Sequence, residues 1–215
     1  FEGWAVSEGL SVFAGKIGRQ AASEKITWVD NGALPGLYGS LGMDDSGRPA
    51  QRTVLIQNGV VTGYMLDLVS ARKLGMQPTA NARRQNYTFQ SADRMTNTYI
   101  EPGEDDDDEM IESLEYGLFV KSIGGGAANP VTGDFNVEVK EGYLIENGRI
   151  TRPVAGMTIS GTPEMLMNID RVGKLSPPPI YEGSFCGGGS GLVPVTCFQP
   201  RLRVRGMVVG GRGAK

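Results

Sequence analysis

The chain has 215 residues, with 21 Lys and Arg against 24 Asp and Glu, a formal net charge of −3, and no His. That zero excludes a Ser-His-Asp triad, a Cys-His pair, a His general base and any zinc site built on two or three imidazoles from these residues alone. A sequence pI near 5.1 argues against a nucleic-acid partner, since such domains show a basic stripe and a pI above about 9.

RLRVR at 201–205 and Arg83-Arg84 are the only dense basic groups, and they read as solvated strand or loop charges. A hydrophobic share of 40% and a charged share of 21% fit an ordinary soluble composition, and the length suits one domain or one and a half. The 32 Gly are about twice the usual share, which implies many tight turns and disfavours an all-helical fold. No run approaches the ~18 apolar residues of a membrane span, and no signal peptide is present. A membrane partner is therefore not expected. A signal-free chain with two Cys points to a reducing, cytoplasmic compartment, although the count alone permits a Cys186–Cys197 bridge. A start at Phe1 without Met suggests a piece of something longer.

In chain order, the first expected strand is Ile26–Asp30. Arg52–Gln57 and Val60–Leu66 flank Asn58-Gly59, a pair that readily takes the two positive φ values of a type I′ turn, so they read as a tight hairpin. A short helix over Asp67–Leu74 should end at Gly75. Arg94–Ile100 is the next strand. An acidic run from Glu104 to Asp108 precedes apolar residues at 110, 111, 114 and 118, whose spacing predicts a helix to Leu118. The acids suit the positive end of its macrodipole better than a metal cluster.

The segment 122–135, SIGGGAANPVTGDF, reads as a turn-laden connector. Asn136–Glu146 and Arg149–Val154 then form a second hairpin around Asn147-Gly148. After a strand at Met157–Ser160, Thr162 as N-cap and Pro163 at N1 begin a helix expected to reach Val172 and stop at Gly173. Pro177-Pro178-Pro179 is a stiff extended segment that delivers the chain to Cys186. Leu192–Val195 and Leu202–Val209 complete the strands. The fold class expected is α+β, a predominantly antiparallel sheet with Asn-Gly hairpins and two or three packed helices.

None of the Gly-rich segments is a phosphate loop, because no GxxxxGK[ST] or strand-GxGxxG-helix arrangement exists. Cys186 is the main chemical candidate. A lone Cys is often a small buried hydrophobe, but Gly187, Gly188 and Gly189 allow close backbone approach, which suits a metal or substrate site. Cys197, within VPVTCF, reads as a packing residue.

Gly9-Leu10-Ser11-Val12-Phe13-Ala14-Gly15-Lys16-Ile17-Gly18, Gly63-Tyr64-Met65-Leu66-Asp67, Ala71-Arg72 and Met95-Thr96-Asn97-Thr98-Tyr99 together resemble the TldD/PmbA family of metallopeptidases. Gly142-Tyr143-Leu144-Ile145-Glu146-Asn147-Gly148, Val172-Gly173, Cys186-Gly187, Val193-Pro194-Val195 and Gln199-Pro200 continue the likeness. It runs over essentially all of residues 1–215 and corresponds to the C-terminal portion of such a protein. The metal-bearing TldD type is the nearer of the family's two subunit types.

The resemblance implies a Zn2+ cofactor held by two His of an HExxxH helix and by Cys186, with the Glu of that motif as general base. Glu2-Gly3 falls on the family's Glu-Gly, with Phe1 standing for Leu and Trp4 for Asp. The second His is thus expected just ahead of Phe1, and no catalytic residue is expected within these residues. Two imidazoles and one thiolate leave a fourth zinc position for water, the open arrangement of a catalytic site.

The resemblance also implies hydrolysis of peptides or unfolded polypeptides with little sequence preference, and a dimer with an identical or related subunit. Low preference suits an extended peptide added to a sheet edge, where main-chain hydrogen bonds are the same for every sequence. Arg94, Thr96 and Asn97 lie on the strand expected near that groove. A half-exposed strand with Thr favoured for β propensity is the alternative. Two other functions stay open: a non-catalytic partner subunit or peptide-binding scaffold, and a hydrolase using Cys186 as nucleophile, for which no His is at hand.

Overall fold

The computed structural model describes residues 1–154, 156–174 and 183–211. Its main sheet has six strands in the order β12-β13-β6-β1-β2-β3. These are β1 (Trp28–Asn31), β2 (Arg52–Gln57), β3 (Val60–Val61), β6 (Asn97–Ile100), β12 (Gly183–Gly188) and β13 (Gly191–Phe198). All its pairings are antiparallel except β13 with β6, which is parallel.

A five-stranded antiparallel sheet holds β7 (Tyr116–Ala128), β8 (Phe135–Glu146), β9 (Arg149–Val154), β10 (Met157–Gly161) and β15 (Val208–Gly211). Here β9 and β10 pair with successive halves of the long β8. Two small antiparallel pairs complete the strands, β4 (Ala82–Arg83) with β5 (Ala92–Asp93) and β11 (Ile169–Val172) with β14 (Leu202–Val204). The helices are α1 (Gly3–Ser7), α2 (Leu68–Leu74), α3 (Asp107–Glu112) and a 3-10 segment, Pro163–Asn168. The architecture is α+β, mostly antiparallel, as the composition and hairpin signals imply.

Local chemistry explains several elements directly. Asn58 and Gly59 have φ of 48° and 81°, and Asn147 and Gly148 have 51° and 75°, the doubly left-handed path of the expected hairpin turns. Asp67 caps α2 by accepting the N–H groups of Val69 and Ser70, and Gly75 closes it at φ 66°, as a helix C-terminus favours. Ile26, Ile56, Val61, Leu66 and Val172 form the centre of the core between the main sheet and its covering segments. Each such burial contributes ~1.5–3 kcal/mol.

Four expectations are corrected. The helix expected to reach Leu118 ends at Glu112, because the carbonyls of Leu114 and Glu115 accept from Gly148 and Asn147 of the neighbouring turn and Tyr116 enters β7 instead. The helix expected to reach Val172 is only the 3-10 segment. Thr162 makes no side-chain cap, and Ile169 and Val172 bury their side chains in the strand β11 paired with β14.

The supposed connector at 122–135 is largely strand, with only residues 129–134 left as a turn. At Gly126 a side chain would meet the Asn136 carbonyl at 2.7 Å, so glycine permits pairing there rather than preventing it. The expected strand over Leu202–Val209 divides into β14 and β15 around Gly206, whose φ is 70°. Pro177-Pro178-Pro179 lies outside the described residues.

Candidate functional site

Cys186 lies on β12, the outer strand of the main sheet, opposite Val193. Its thiol is free and half-buried. Cys197 is also free and is exposed rather than packed in the core. It stands four residues along β13 from Val193, about 13 Å of strand, which exceeds disulfide reach.

Pro194 stands opposite Phe185 and has no N–H to give. Antiparallel pairs alternate between bonded and non-bonded, so the polar backbone groups of Phe185 and Gly187 turn away from β13, to the side on which no other described strand pairs with β12. Phe185 is 56% exposed and meets Tyr38 edge-on at 5.4 Å.

The glycine-rich tip of the β12–β13 hairpin is held from below. Arg94 is 3% exposed; its Nη2 donates to the Cys186 carbonyl at 2.6 Å, and its Nη1 donates to Ser190 Oγ at 2.8 Å and the Gly191 carbonyl at 3.0 Å. A side chain at Gly188 would meet Arg94 Nη1 at 3.0 Å, so the guanidinium lies across that glycine. On the other side, Gln85 donates its N–H to the Ser190 carbonyl and accepts from Leu192, both at 2.8 Å. Gly191, at φ 84°, leaves the space Gln85 fills.

The start of the chain reaches the same place. Glu2 Oε1 pairs with Arg94 Nε at 3.4 Å, and Gly3 donates to the Met65 carbonyl at 2.8 Å. Gly3 sits so close to Leu66 and Ser70 that a side chain there would come within 2.5 Å of Leu66, which lets α1 lie on α2. Asp93 accepts from Trp4 N–H at 2.7 Å, from Ser70 Oγ at 2.6 Å and from Asp67 N–H. It thereby ties the first turn of α1 to that of α2. Burial pushes its carboxyl up from the ordinary aspartate value.

Of the residues named from sequence, Cys186 and Arg94 are brought together directly. Thr96 and Asn97 are buried, at 1% and 0% exposure, on or beside β6, an interior strand between β13 and β1. Thr96 Oγ1 donates to Asp30 Oδ2 at 2.8 Å. Asn97 Nδ2 donates to the Asn31 carbonyl at 2.9 Å, and its Oδ1 accepts from Gly39 N–H at 3.1 Å.

Arg83, taken from sequence as a solvated charge, is buried and donates to the carbonyls of Met95 and Pro194. Burial pulls its guanidinium down, and nearby Asp30 pulls it back. Arg203, likewise read as solvated, is mostly buried on Asp170, whereas Arg205 binds the same carboxylate and stays exposed as expected. The sequence reading placed Glu2 here only through the family likeness, and missed Gln85, Asp30 and Ser190 as parts of this neighbourhood. Of the three missed, Ser190, within the glycine run after Cys186, lies where sequence could point to it. Among the described residues no three His, Cys, Asp or Glu converge as a metal site, and no helix is long and apolar enough to cross a membrane.

Residues 1–211 match the family model described as PmbA/TldA metallopeptidase C-terminal domain. A metalloprotease TldD homolog of Haemophilus influenzae is 40% identical over 202 residues, covering 94% of this chain and 42% of that protein. The chain thus spans less than half the length of the curated relatives it matches. Among solved structures, TldE from Thermococcus kodakarensis superposes with a TM-score of 0.71 at 26% identity, covering 96% of this chain and 45% of that one. A proposed modulator of a DNA gyrase from Thermotoga maritima superposes with a TM-score of 0.79 at 26% identity, covering 97% and 44%.

Proposed function

Because the chain belongs to the TldD/PmbA metallopeptidase family and matches its C-terminal domain, we propose that it contributes Cys186 and a peptide-binding sheet edge to a TldD-type zinc metalloprotease. The observation that carries this reading is the placement of a free, half-buried thiol on an outer strand. The donor set fits one soft ligand of a zinc site completed from elsewhere. Three glycines leave the thiol approachable, and no bridge to Cys197 consumes it. Two His and a general-base Glu come, in this proposal, from an HExxxH segment ahead of Phe1. The contact of Glu2 with Arg94 supports it, because a helix entering there arrives beside the Cys186 hairpin.

Zinc would supply an activated water and a Lewis acid for the scissile carbonyl. The chain's own residues do the positioning. Phe185 and Gly187 offer main-chain groups to an extended peptide or unfolded polypeptide, laying it along β12 past the thiol. Such binding depends little on side chains, apart from contact with the Tyr38–Phe185 pair. Free thiols suit a cytoplasmic setting, and the family resemblance suggests a dimer with an identical or related subunit.

The test is zinc content and peptide hydrolysis of the full-length protein with Cys186→Ala. Both should fall together, and unchanged activity would remove Cys186 from the site. The likeness to TldE favours a second reading, a non-catalytic partner subunit. An upstream segment without two His and a Glu would decide for it.

A further inference from the structure

Resting on the zinc reading of Cys186, we propose that Arg94 is a positioning residue that locks the thiol-bearing strand to the start of the chain. One guanidinium joins three separate pieces of chain: its own segment before β6, the β12–β13 hairpin, and Glu2. It has five N–H donors in a rigid plane, and the contacts account for all three nitrogens. Nη2 holds the carbonyl of Cys186, Nη1 holds Ser190 and Gly191, and Nε faces Glu2.

The bond to the Cys186 carbonyl is the telling one. It fixes the peptide unit of the residue whose side chain is to ligate, so a displacement of the guanidinium displaces Sγ. Gly188 shows that the arrangement is selected at backbone level, since a Cβ there would press on the guanidinium at 3.0–3.4 Å. At 3% exposure the Arg94 side chain is shielded from a passing peptide, and its role is to act through Cys186. Glu2 gives the same clasp a hold on the segment from which the other ligands would come. Arg94 thereby sets the distance between the two halves of the metal site.

The experiment uses the full-length protein, with zinc affinity measured by competition against a chromogenic chelator and the thiolate-to-metal absorption band read after cobalt substitution. Arg94→Lys keeps the charge facing Glu2, but one ammonium cannot span the hairpin acceptors. Arg94→Gln removes the charge as well. Both should weaken metal binding by about 10–100-fold, the usual effect of losing a group that orients a ligand. Both should also diminish the cobalt–thiolate band while the metal-free protein keeps its circular dichroism.

Folded Arg94 variants with wild-type affinity and an unchanged band overturn the proposal, while a Cys186→Ala control that loses metal leaves the zinc reading intact. If Cys186→Ala itself leaves affinity unchanged, both fall. Should the Arg94 variants fail to fold, Ser190→Ala and Glu2→Gln decide. Each removes one partner of the guanidinium and should weaken metal several-fold, and wild-type affinity in both overturns the proposal.

Discussion

Thr96 gives both of its donors to Asp30: its N–H reaches Oδ1 and its hydroxyl reaches Oδ2, each at 2.8 Å. Thr98 Oγ1 and Asn81 Nδ2 add one bond to each oxygen, at 2.8 and 2.7 Å. The carboxylate is 2% exposed and joins β1 to the chain on either side of the site. Asp30→Ala leaves several buried donors unmatched and should cost about 3 kcal/mol or more, seen as a lower urea midpoint at unchanged slope.

Burial also pushes the Asp30 carboxyl up, its four hydrogen bonds opposing this only in part. With the folded value above the unfolded one, the folded protein holds this proton more tightly, so stability falls as pH rises from the ordinary aspartate range to the raised value. Asp30→Asn should remove that slope. Melting temperatures of the two proteins from about pH 4 to 7 check this, and parallel curves would reject it.

Asn97 is the second buried anchor. Asn97→Ala takes a donor from the Asn31 carbonyl, leaves the Gly39 N–H only its longer 3.4 Å contact with Thr196 Oγ1 and opens a void, which should lower stability by about 2 kcal/mol. Peptide KM separates this from direct substrate contact: a stable variant with a raised KM would make Asn97 a substrate residue.

At the small β11–β14 sheet, Arg203 grips Asp170 with Nε at 2.8 Å and Nη2 at 2.7 Å, and Arg205 adds a third bond. These cations hold the carboxyl well below the ordinary aspartate range. A depressed folded value contributes stability above the unfolded value, near 3.9, and loses it as pH falls further. Asp170→Asn should cost about 1–2 kcal/mol at neutral pH, after allowance for partial exposure. The gap in melting temperature from wild type should narrow below about pH 4.

If a peptide lies along β12, main-chain N-methylation at alternate positions of a bound inhibitor should weaken it about tenfold per blocked bond, the effect of ~1.4 kcal/mol. Most side-chain changes should matter less. Inhibition constants across an N-methyl scan check the register, and a flat scan would remove the strand-addition mode.

Much of the fold was legible where the deciding forces are local. Asn58-Gly59 and Asn147-Gly148 turn as they do because those residues tolerate positive φ, and α2 begins and ends on its own capping residues. Apolar spacing misled at Leu114–Leu118 and at Ile169–Val172, where the same residues satisfy a helix or a strand and distant partners chose the strand. Cys186 stood out through its glycine neighbours, but the same glycines concealed that it occupies a regular strand.

By itself the sequence determined the turn positions, the α+β class and the glycine setting of the Cys186 thiol, because each follows from residue type and short-range sterics. Only the tertiary structure decided that this thiol stands on an outer strand, and that Arg94 is committed to its carbonyl 92 residues away. It alone decided that Glu2 closes the same clasp and that Arg83 is buried. No rule of neighbouring residues relates such partners. They meet because folding removes their charges and backbone groups from water, and each must then find its partner wherever the chain has brought one.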